Sequence, residues 1–510
     1  MNKKKQNITY IKSSKTDKKV AVKNLDYLRC YRAPLNDLTD VAETNVIAET
    51  CNNKIIYSCS SGFLRYDDVV WSENKMYAVQ YIKDFTQERL NDVDTEIKEL
   101  QGTLEELKLI GDIGNITVKN NNCNSDEKNI IQQYKNARIY KEHIIKCRSQ
   151  NKINALTEGL KSQISFDIEN LDKSPYLLNT PQYTYDLRYG IEEGRKDHDP
   201  NDLITKVTKI EPSAEGYEVW QKCLKLFFQD NSELINYIQK IIGMIVFGKV
   251  YSETLFIAYG SGCNGKSTFF NSIAKVLGSY SGLLSADLLT KQSVRNAKYE
   301  IAELKGKRLV ISSELEEGKD LNTAIIKQLC STDKIKAEKK YRDPFEFEPT
   351  HTLVLCTNHL PRINVKDKGT WRRIVIIPFE TTIEEYNDIK NYTDYLVNKA
   401  GGAILRWIIE GAKKAYNLNF SIEMPDIIKK NIDFYKDKKD SLERFIDECC
   451  DVKDDVKEGS QNLFQAYRNY CNKISENPKT RNKFYEDITN LNFKKNRTKN
   501  GVFINGIKLK

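Results

Sequence analysis

A glycine-rich stretch near the middle of the chain limits the available folds more than any other feature. The apolar run Leu255 to Tyr259 predicts a buried strand. The run Ser267 to Leu277 predicts a helix with Ile273, Ala274 and Leu277 on one face. Between them the chain reads G-x-x-x-x-G-K-S from Gly260 to Ser267. Strand, glycine loop and helix in that order form the context in which this spacing binds phosphate. A tight loop and an open helix N-terminus offer backbone N–H donors without bulk. Gly260, Gly262 and Gly265 let the backbone turn and approach where a Cβ would interfere. Lys266 can set a cation against the β and γ phosphates, and Ser267 can give a hydroxyl to Mg²⁺. The expected nucleotide-binding set is therefore Gly260, Ser261, Gly262, Cys263, Asn264, Gly265, Lys266, Ser267 and Thr268, with ATP and Mg²⁺ as ligands.

The chain has 510 residues, too many for one core, so two to four domains are expected. Charged residues make up 30% and hydrophobic ones 40%, which is a globular composition. No apolar run has transmembrane length, and no secretory segment opens the chain. The twelve cysteines show no C-x-x-C spacing and histidines number four, so a structural metal site and disulfides are not expected. A cytoplasmic protein without a membrane partner is expected. A net charge of +9 is compatible with nucleic acid.

Residues 1–44 read as a disordered or extended basic tail. Residues 45–212 read as an α+β domain. Short strands are expected between Lys54 and Trp71, and an amphipathic helix from Leu90 to Leu107 with apolar residues spaced three and four apart. A loop covers Gly111 to Asp126, helix resumes from Glu127 to Arg148, and a strand pair lies between Asn179 and Gly190. A boundary is expected near Pro212. Residues 213–385 open with helices at 217–228 and 230–247, the second with Asp230 and Glu233 at capping-box spacing. Further buried strands follow at Lys307–Glu314, Thr352–Asn358 and Ile374–Phe379. Short β-branched strands alternating with helices indicate an α/β fold with a mainly parallel sheet, whose ligands bind at the strand ends.

The residues at those ends carry chemistry. Glu314 can polarise an attacking water and hold Mg²⁺ through its hydration shell, so it joins Ser267 as a metal residue. Asn358 can orient that water or sense the γ-phosphate. Arg372 or Arg373, before the last strand, can reach a neighbouring subunit's γ-phosphate. With Lys266 these are the expected catalytic residues. A hairpin around Arg342 to Pro344 carries Lys339, Lys340, Tyr341 and Arg342, cations and an aromatic suited to a single strand. Residues 386–437 read as helical. In 438–510, helices at 441–449, 462–471 and 481–491 precede a basic hairpin with Lys494, Lys495 and Arg497. That order suggests a winged-helix DNA-binding module.

Together these motifs resemble the superfamily 3 helicases, and within them the C-terminal helicase part of the phage and plasmid primase–helicase family, also found in large DNA viruses. The likeness rests on Gly260 to Thr268, Leu309 to Glu314, Ile326 and Lys327, Asp333 to Pro349, Cys356 to Pro361 and Trp371 to Phe379. It extends to the segments around Gly62, Asn179, Gly401 and Met424. The resemblance implies an AAA+-like P-loop NTPase core that assembles as a ring, usually a hexamer, and translocates on single-stranded DNA to unwind a fork. A separate primase or polymerase would be a partner, and the cytoplasm of a bacterial host the setting. It makes Glu314 the Walker B acid, Asn358 the sensor and Arg372 or Arg373 the finger. Two departures stand out: Ser313 occupies the place of a second acid, and Cys330 to Asp333 lacks the usual glycine pair. About fifty residues precede the matching region, too few for a polymerase-like primase domain, so primer synthesis is not expected. A rival expectation is an origin initiator or loader that uses ATP as an assembly switch without unwinding.

Overall fold

The computed structural model of the chain describes residues 8–15, 18–109, 123–290, 297–315, 319–338, 344–361, 363, 368–383, 391–437, 441–474, 478–498 and 501–510. These residues fall into two compact units: Met1–Ser174 with Asp197–Val207, and Pro175–Lys196 with Thr208–Lys510. The chain crosses between the units after Ser174, Lys196 and Val207, the last crossing close to the expected boundary near Pro212, and 175–196 joins the second unit. The physical reason is that Leu178, Tyr185 and Leu187 lie in the core of the second unit.

The first unit begins with β1 (Ile8–Lys12) and β2 (Lys19–Lys23), an antiparallel pair. This corrects the expected tail. The lysines of the stretch alternate with Ile11 and Val20, which are buried in the unit's core. Helix α1 (Asp40–Thr50) is capped by Thr39, whose side chain accepts from Ala42 N. Strands β3 (Ile55–Ser58), β4 (Gly62–Tyr66) and β5 (Trp71–Glu73) form an antiparallel sheet. The amphipathic helix α2 (Tyr77–Glu106) begins earlier than its heptad pattern suggested and buries Ile82, Phe85, Val93, Leu100 and Leu104. Helix α3 (Ser125–Cys147) opens with a capping box between Asn124 and Glu127, and α4 (Gln150–Gln163) follows.

In the second unit β6 (Leu177–Asn179), β7 (Thr184–Asp186), α5 (Gly190–Glu193) and β8 (Arg195–Lys196) make a small sheet with its connection. Helices α6 (Tyr217–Phe227) and α7 (Ser232–Ile245) follow. The cap expected at Asp230 is not used. Asp230 takes a left-handed φ of 53°, and Asn231 caps α7 by accepting from Leu234 N at 3.0 Å. The core elements are then β9 (Leu255–Tyr259), α8 (Lys266–Leu277), β10 (Ser281–Leu283), α9 (Ala297–Ala302), β11 (Leu309–Ser313), α10 (Thr323–Leu329), β12 (Ile335–Ala337), β13 (Phe345–Phe347), β14 (Thr352–Thr357), α11 (Lys368–Trp371) and β15 (Ile374–Pro378). Five of the strands form a parallel sheet in the order β10-β11-β14-β9-β15. Its strands are nearly continuous apolar runs because both faces are covered.

Helices α12 (Tyr392–Asn417) and α13 (Asp426–Asp437) pack onto this core. The α7–α12 crossing is unusually close. A Cβ on Gly243 would lie 2.1 Å from Gly411 C, and one on Gly411 would lie 2.3 Å from Gln239 O. Gly243→Ala should therefore cost about 3 kcal/mol and lower the unfolding midpoint. Gly102→Ala on α2, where the Cβ would meet nothing within 4 Å, should be neutral or slightly stabilising in the same melt.

His351, just before β14, is buried, and burial pushes its imidazole down to about 4. The unfolded chain takes up this proton below the ordinary value near 6.5, whereas the folded chain stays neutral until about 4. Stability is thus full above pH 6.5 and falls by roughly 3 kcal/mol as pH drops between those values. Melting the native chain and His351→Leu at pH 7.5 and 5 should show the native midpoint falling further.

The C-terminal region has its own core around Phe445, Tyr467 and Phe484. It runs α14 (Ser441–Cys449), β16 (Cys450–Gly459), α15 (Ser460–Lys473), α16 (Arg481–Asn490), β17 (Lys495–Thr498) and β18 (Gly501–Leu509), with sheet order β16-β18-β17. Strand β16 was not expected. Among the described residues, no helix is long and apolar enough to cross a membrane.

Candidate functional site

The sheet register brings several of the expected residues to one edge. Ser313 pairs with Cys356, Thr357 with Tyr259, and Tyr259 with Pro378. Gly260, Glu314, Asn358 and Phe379 thus leave the sheet together at the carboxyl ends of its strands.

The loop is held open by left-handed backbone at Gly262 (φ 107°), Cys263 (φ 45°) and Gly265 (φ 82°). Gly265 precedes α8, and a Cβ there would lie 2.4 Å from the Phe227 ring. At Gly260 a Cβ would lie 2.0 Å from Asn264 Nδ2 and 2.3 Å from Phe379 O. Both positions therefore require glycine. Ser267, in the first turn of α8, is exposed, and Ser261 and Cys263 are exposed on the loop; Thr268 is half-buried.

Lys266 is only 5% exposed. Its Nζ donates to Gly260 O (2.9 Å), Asn264 Oδ1 (2.7 Å) and Asn358 Oδ1 (2.9 Å). All three acceptors are neutral. The neighbouring Cys356 thiol is pushed up to about 12 by burial, so it stays uncharged as well. Burial also lowers the Lys266 pKa from its ordinary value. The result is a buried cation solvated by oxygens and not neutralised by any acid among the described residues, which leaves it the natural counter-charge for an incoming anion.

Asn264 does more than its place in a loop suggests. It is 3% exposed and bridges two elements, accepting from Lys266 and donating Nδ2 to Phe379 O at 3.0 Å. An ammonium can only donate and a carbonyl can only accept, so these partners fix the amide's orientation. Sequence reading placed Asn264 in the phosphate loop but gave no sign of this tie to the end of β15.

Glu314 is exposed at the end of β11 and holds a left-handed φ of 61°. Its N–H donates to Cys356 O at 3.0 Å, which extends the β11–β14 ladder by one residue. Strained backbone of this kind in a non-glycine residue concentrates at functional sites. Asn358 is tied to the lysine. Ser267 and Glu314 are both exposed and carry oxygens of the hard type that Mg²⁺ takes.

Arg372 and Arg373 lie at the opposite edge, before β15. Arg373 is buried and ion-paired to Glu253, and its NH1 donates to Gly369 O at 2.9 Å. The Arg372 side chain is 69% exposed and stands 3.8 Å from Glu253. Within one chain, neither is brought to the loop.

Lys339, Lys340, Tyr341 and Arg342 lie outside the described residues, though β12 and β13 pair on either side of them. Lys494, Lys495 and Arg497 are exposed, with Lys495 Nζ 4.9 Å from the Tyr485 ring centroid. On α16, Lys483 is paired with Glu486 at 3.2 Å and Asp487 at 3.1 Å.

Comparison with known proteins gives two family matches. Residues 44–229 match a family described as D5 N terminal like, and residues 258–373 match a family of unknown function. A provisionally named helicase of Acanthamoeba polyphaga mimivirus is 31% identical over 228 residues, 43% of this chain and 23% of that protein. A provisionally named primase of African swine fever virus is 26% identical over 313 residues, covering 57% and 32%. A provisionally named helicase of Invertebrate iridescent virus 6 is 23% identical over 351 residues, covering 61% and 36%. The chain thus spans about a quarter to a third of the length of these relatives. Among solved structures, the C-terminal region of NrS-1 aligns at 14% identity and a TM-score of 0.33, covering 59% of this chain and 78% of that one.

Proposed function

This chain belongs to the phage-type primase–helicase family, and on that premise we propose that it is an ATP-driven DNA helicase of superfamily 3, acting in genome replication as a ring on single-stranded DNA. The observation that carries the reading is Lys266, a buried ammonium with neutral acceptors at the head of a G-x-x-x-x-G-K-S loop. The proposed core is a P-loop NTPase of AAA+ type, with ATP as substrate.

The residues' placement supports the following roles. The loop N–H groups and Lys266 bind the triphosphate. Ser267 and Glu314 would hold Mg²⁺, which neutralises charge on the phosphate oxygens when bound. Glu314 then accepts the proton of the attacking water, and Asn358, already linked to Lys266, reports on the γ-phosphate. The fork-facing cations would be those of the β12–β13 connection, namely Lys339, Lys340 and Arg342 with Tyr341. The α14-β16-α15-α16-β17-β18 order supports a winged-helix reading of the C-terminal region, with Lys494, Lys495 and Arg497 on its wing. The relatives come from large DNA viruses, and replication of such a genome is the setting we propose.

The finger assignment separates the two arginines. Arg372 is the side chain we propose reaches a neighbouring copy's nucleotide, while Arg373 locks β15 to Glu253. Arg372→Ala should leave ATP affinity and folding intact but lower kcat by about a thousandfold. Arg373→Ala should cost about 1–2 kcal/mol of stability through its lost packing and its lost bonds to Glu253 and Gly369 O. Mixing Arg372→Ala subunits with Lys266→Ala subunits should restore part of the hydrolysis, since each supplies what the other lacks. The reading is tested by ATP hydrolysis with and without single-stranded DNA: stimulation supports it, and absence of hydrolysis removes it.

A further inference from the structure

The β1–β2 hairpin of the first unit presents a face that its own folding does not explain. One side carries Ile11 and Val20 into the core. The other carries the cross-strand pairs Ile8–Lys23, Tyr10–Ala21 and Lys12–Lys19. Lys12 stands directly opposite Lys19, so this face carries two lysines side by side. Between these lysines and Lys23, Tyr10 is 65% exposed, opposite an alanine that leaves its ring uncovered. Ile8 is 51% exposed, and Tyr27, 52% exposed, lies close enough to Lys23 to act on its charge. Lys23 also pairs with Glu99 at 2.9 Å.

We propose that this hairpin face is a binding surface for single-stranded nucleic acid, with Tyr10 as a stacking platform and Lys12, Lys19 and Lys23 facing the phosphates. The chemistry favours this occupant. Five paired residues span about 14 Å along the strands, room for a short stretch of backbone. An exposed ring between cations suits an unstacked base, which a duplex does not offer. An anionic backbone laid along this face would meet cations from both strands. The proposal rests on reading single-stranded DNA as the substrate, but it does not require the ATP site.

The test uses the full chain and a labelled oligothymidine. Tyr10→Ser should weaken binding about tenfold. Lys19→Thr should flatten the slope of log affinity against log salt by about 0.7, while leaving the unfolding midpoint unchanged because the side chain is exposed. A purely structural role would lower the midpoint instead. A photo-crosslinking residue at position 10 should label the oligothymidine. ATP hydrolysis without DNA should be unchanged in both variants. Affinities within about twofold of the native chain would overturn the proposal. So would equal binding of duplex, or equal competition by polyglutamate, which would point to an acidic protein partner. If strand displacement is never seen yet these variants still lose oligothymidine affinity, the motor reading fails and this surface stands.

Discussion

Lys266→Ala is expected to weaken ATP binding about a hundredfold and to remove hydrolysis. The ammonium sits among Gly260 O, Asn264 Oδ1 and Asn358 Oδ1 at 2.7 to 2.9 Å, with no acid among the described residues to neutralise it. Charge-assisted hydrogen bonds of this kind contribute about 1.5–3 kcal/mol each, and more than one would form to a triphosphate. The effect on folding should be small by comparison. Removing the lysine leaves three oxygens short of a donor but also removes a buried charge, and these terms oppose each other. Equilibrium binding of Mg·ATP, beside a thermal melt, checks the prediction. Native-like ATP affinity in the variant would contradict it.

Glu314→Gln is expected to do something different. It should bind ATP within a few-fold of the native chain but hydrolyse it about a thousandfold more slowly. Glu314 follows β11 at the edge where the loop leaves β9, and the proposed role is to act on the water beyond the γ-phosphate. A glutamine keeps the size and loses the base. The left-handed φ of 61° is unchanged by the substitution, so the melt should not move. Single-turnover hydrolysis measured beside ATP affinity separates the two roles. Equal loss of both would make Glu314 a binding residue instead.

Much of this architecture is legible in the sequence. Leu255 to Tyr259, Leu309 to Ser313, Thr352 to Thr357 and Ile374 to Pro378 are apolar runs because a parallel sheet is covered on both faces. The loop is legible because left-handed backbone and close approach demand glycine at Gly260 and Gly265. Long-range ties are not legible. Asn264 reaches Phe379 across 115 positions, and Arg373 reaches Glu253 across 120. No local pattern could show that these contacts separate Arg372 from Arg373. Strand β16 was missed because its side chains are mostly exposed, so no alternation marks it and only pairing with β18 defines it. The β1–β2 hairpin was read as a tail because its lysines hide the alternating Ile11 and Val20.

The central claim is that nucleotide at the Lys266 loop drives a motor on DNA. Strand displacement on a forked duplex, with Lys266→Ala as the matched control, tests it most directly. The account predicts ATP-dependent unwinding by the native chain and none by the variant. ATP hydrolysis and DNA binding without displacement would contradict it, and would indicate instead an ATP-switched initiator or loader that recruits a separate helicase.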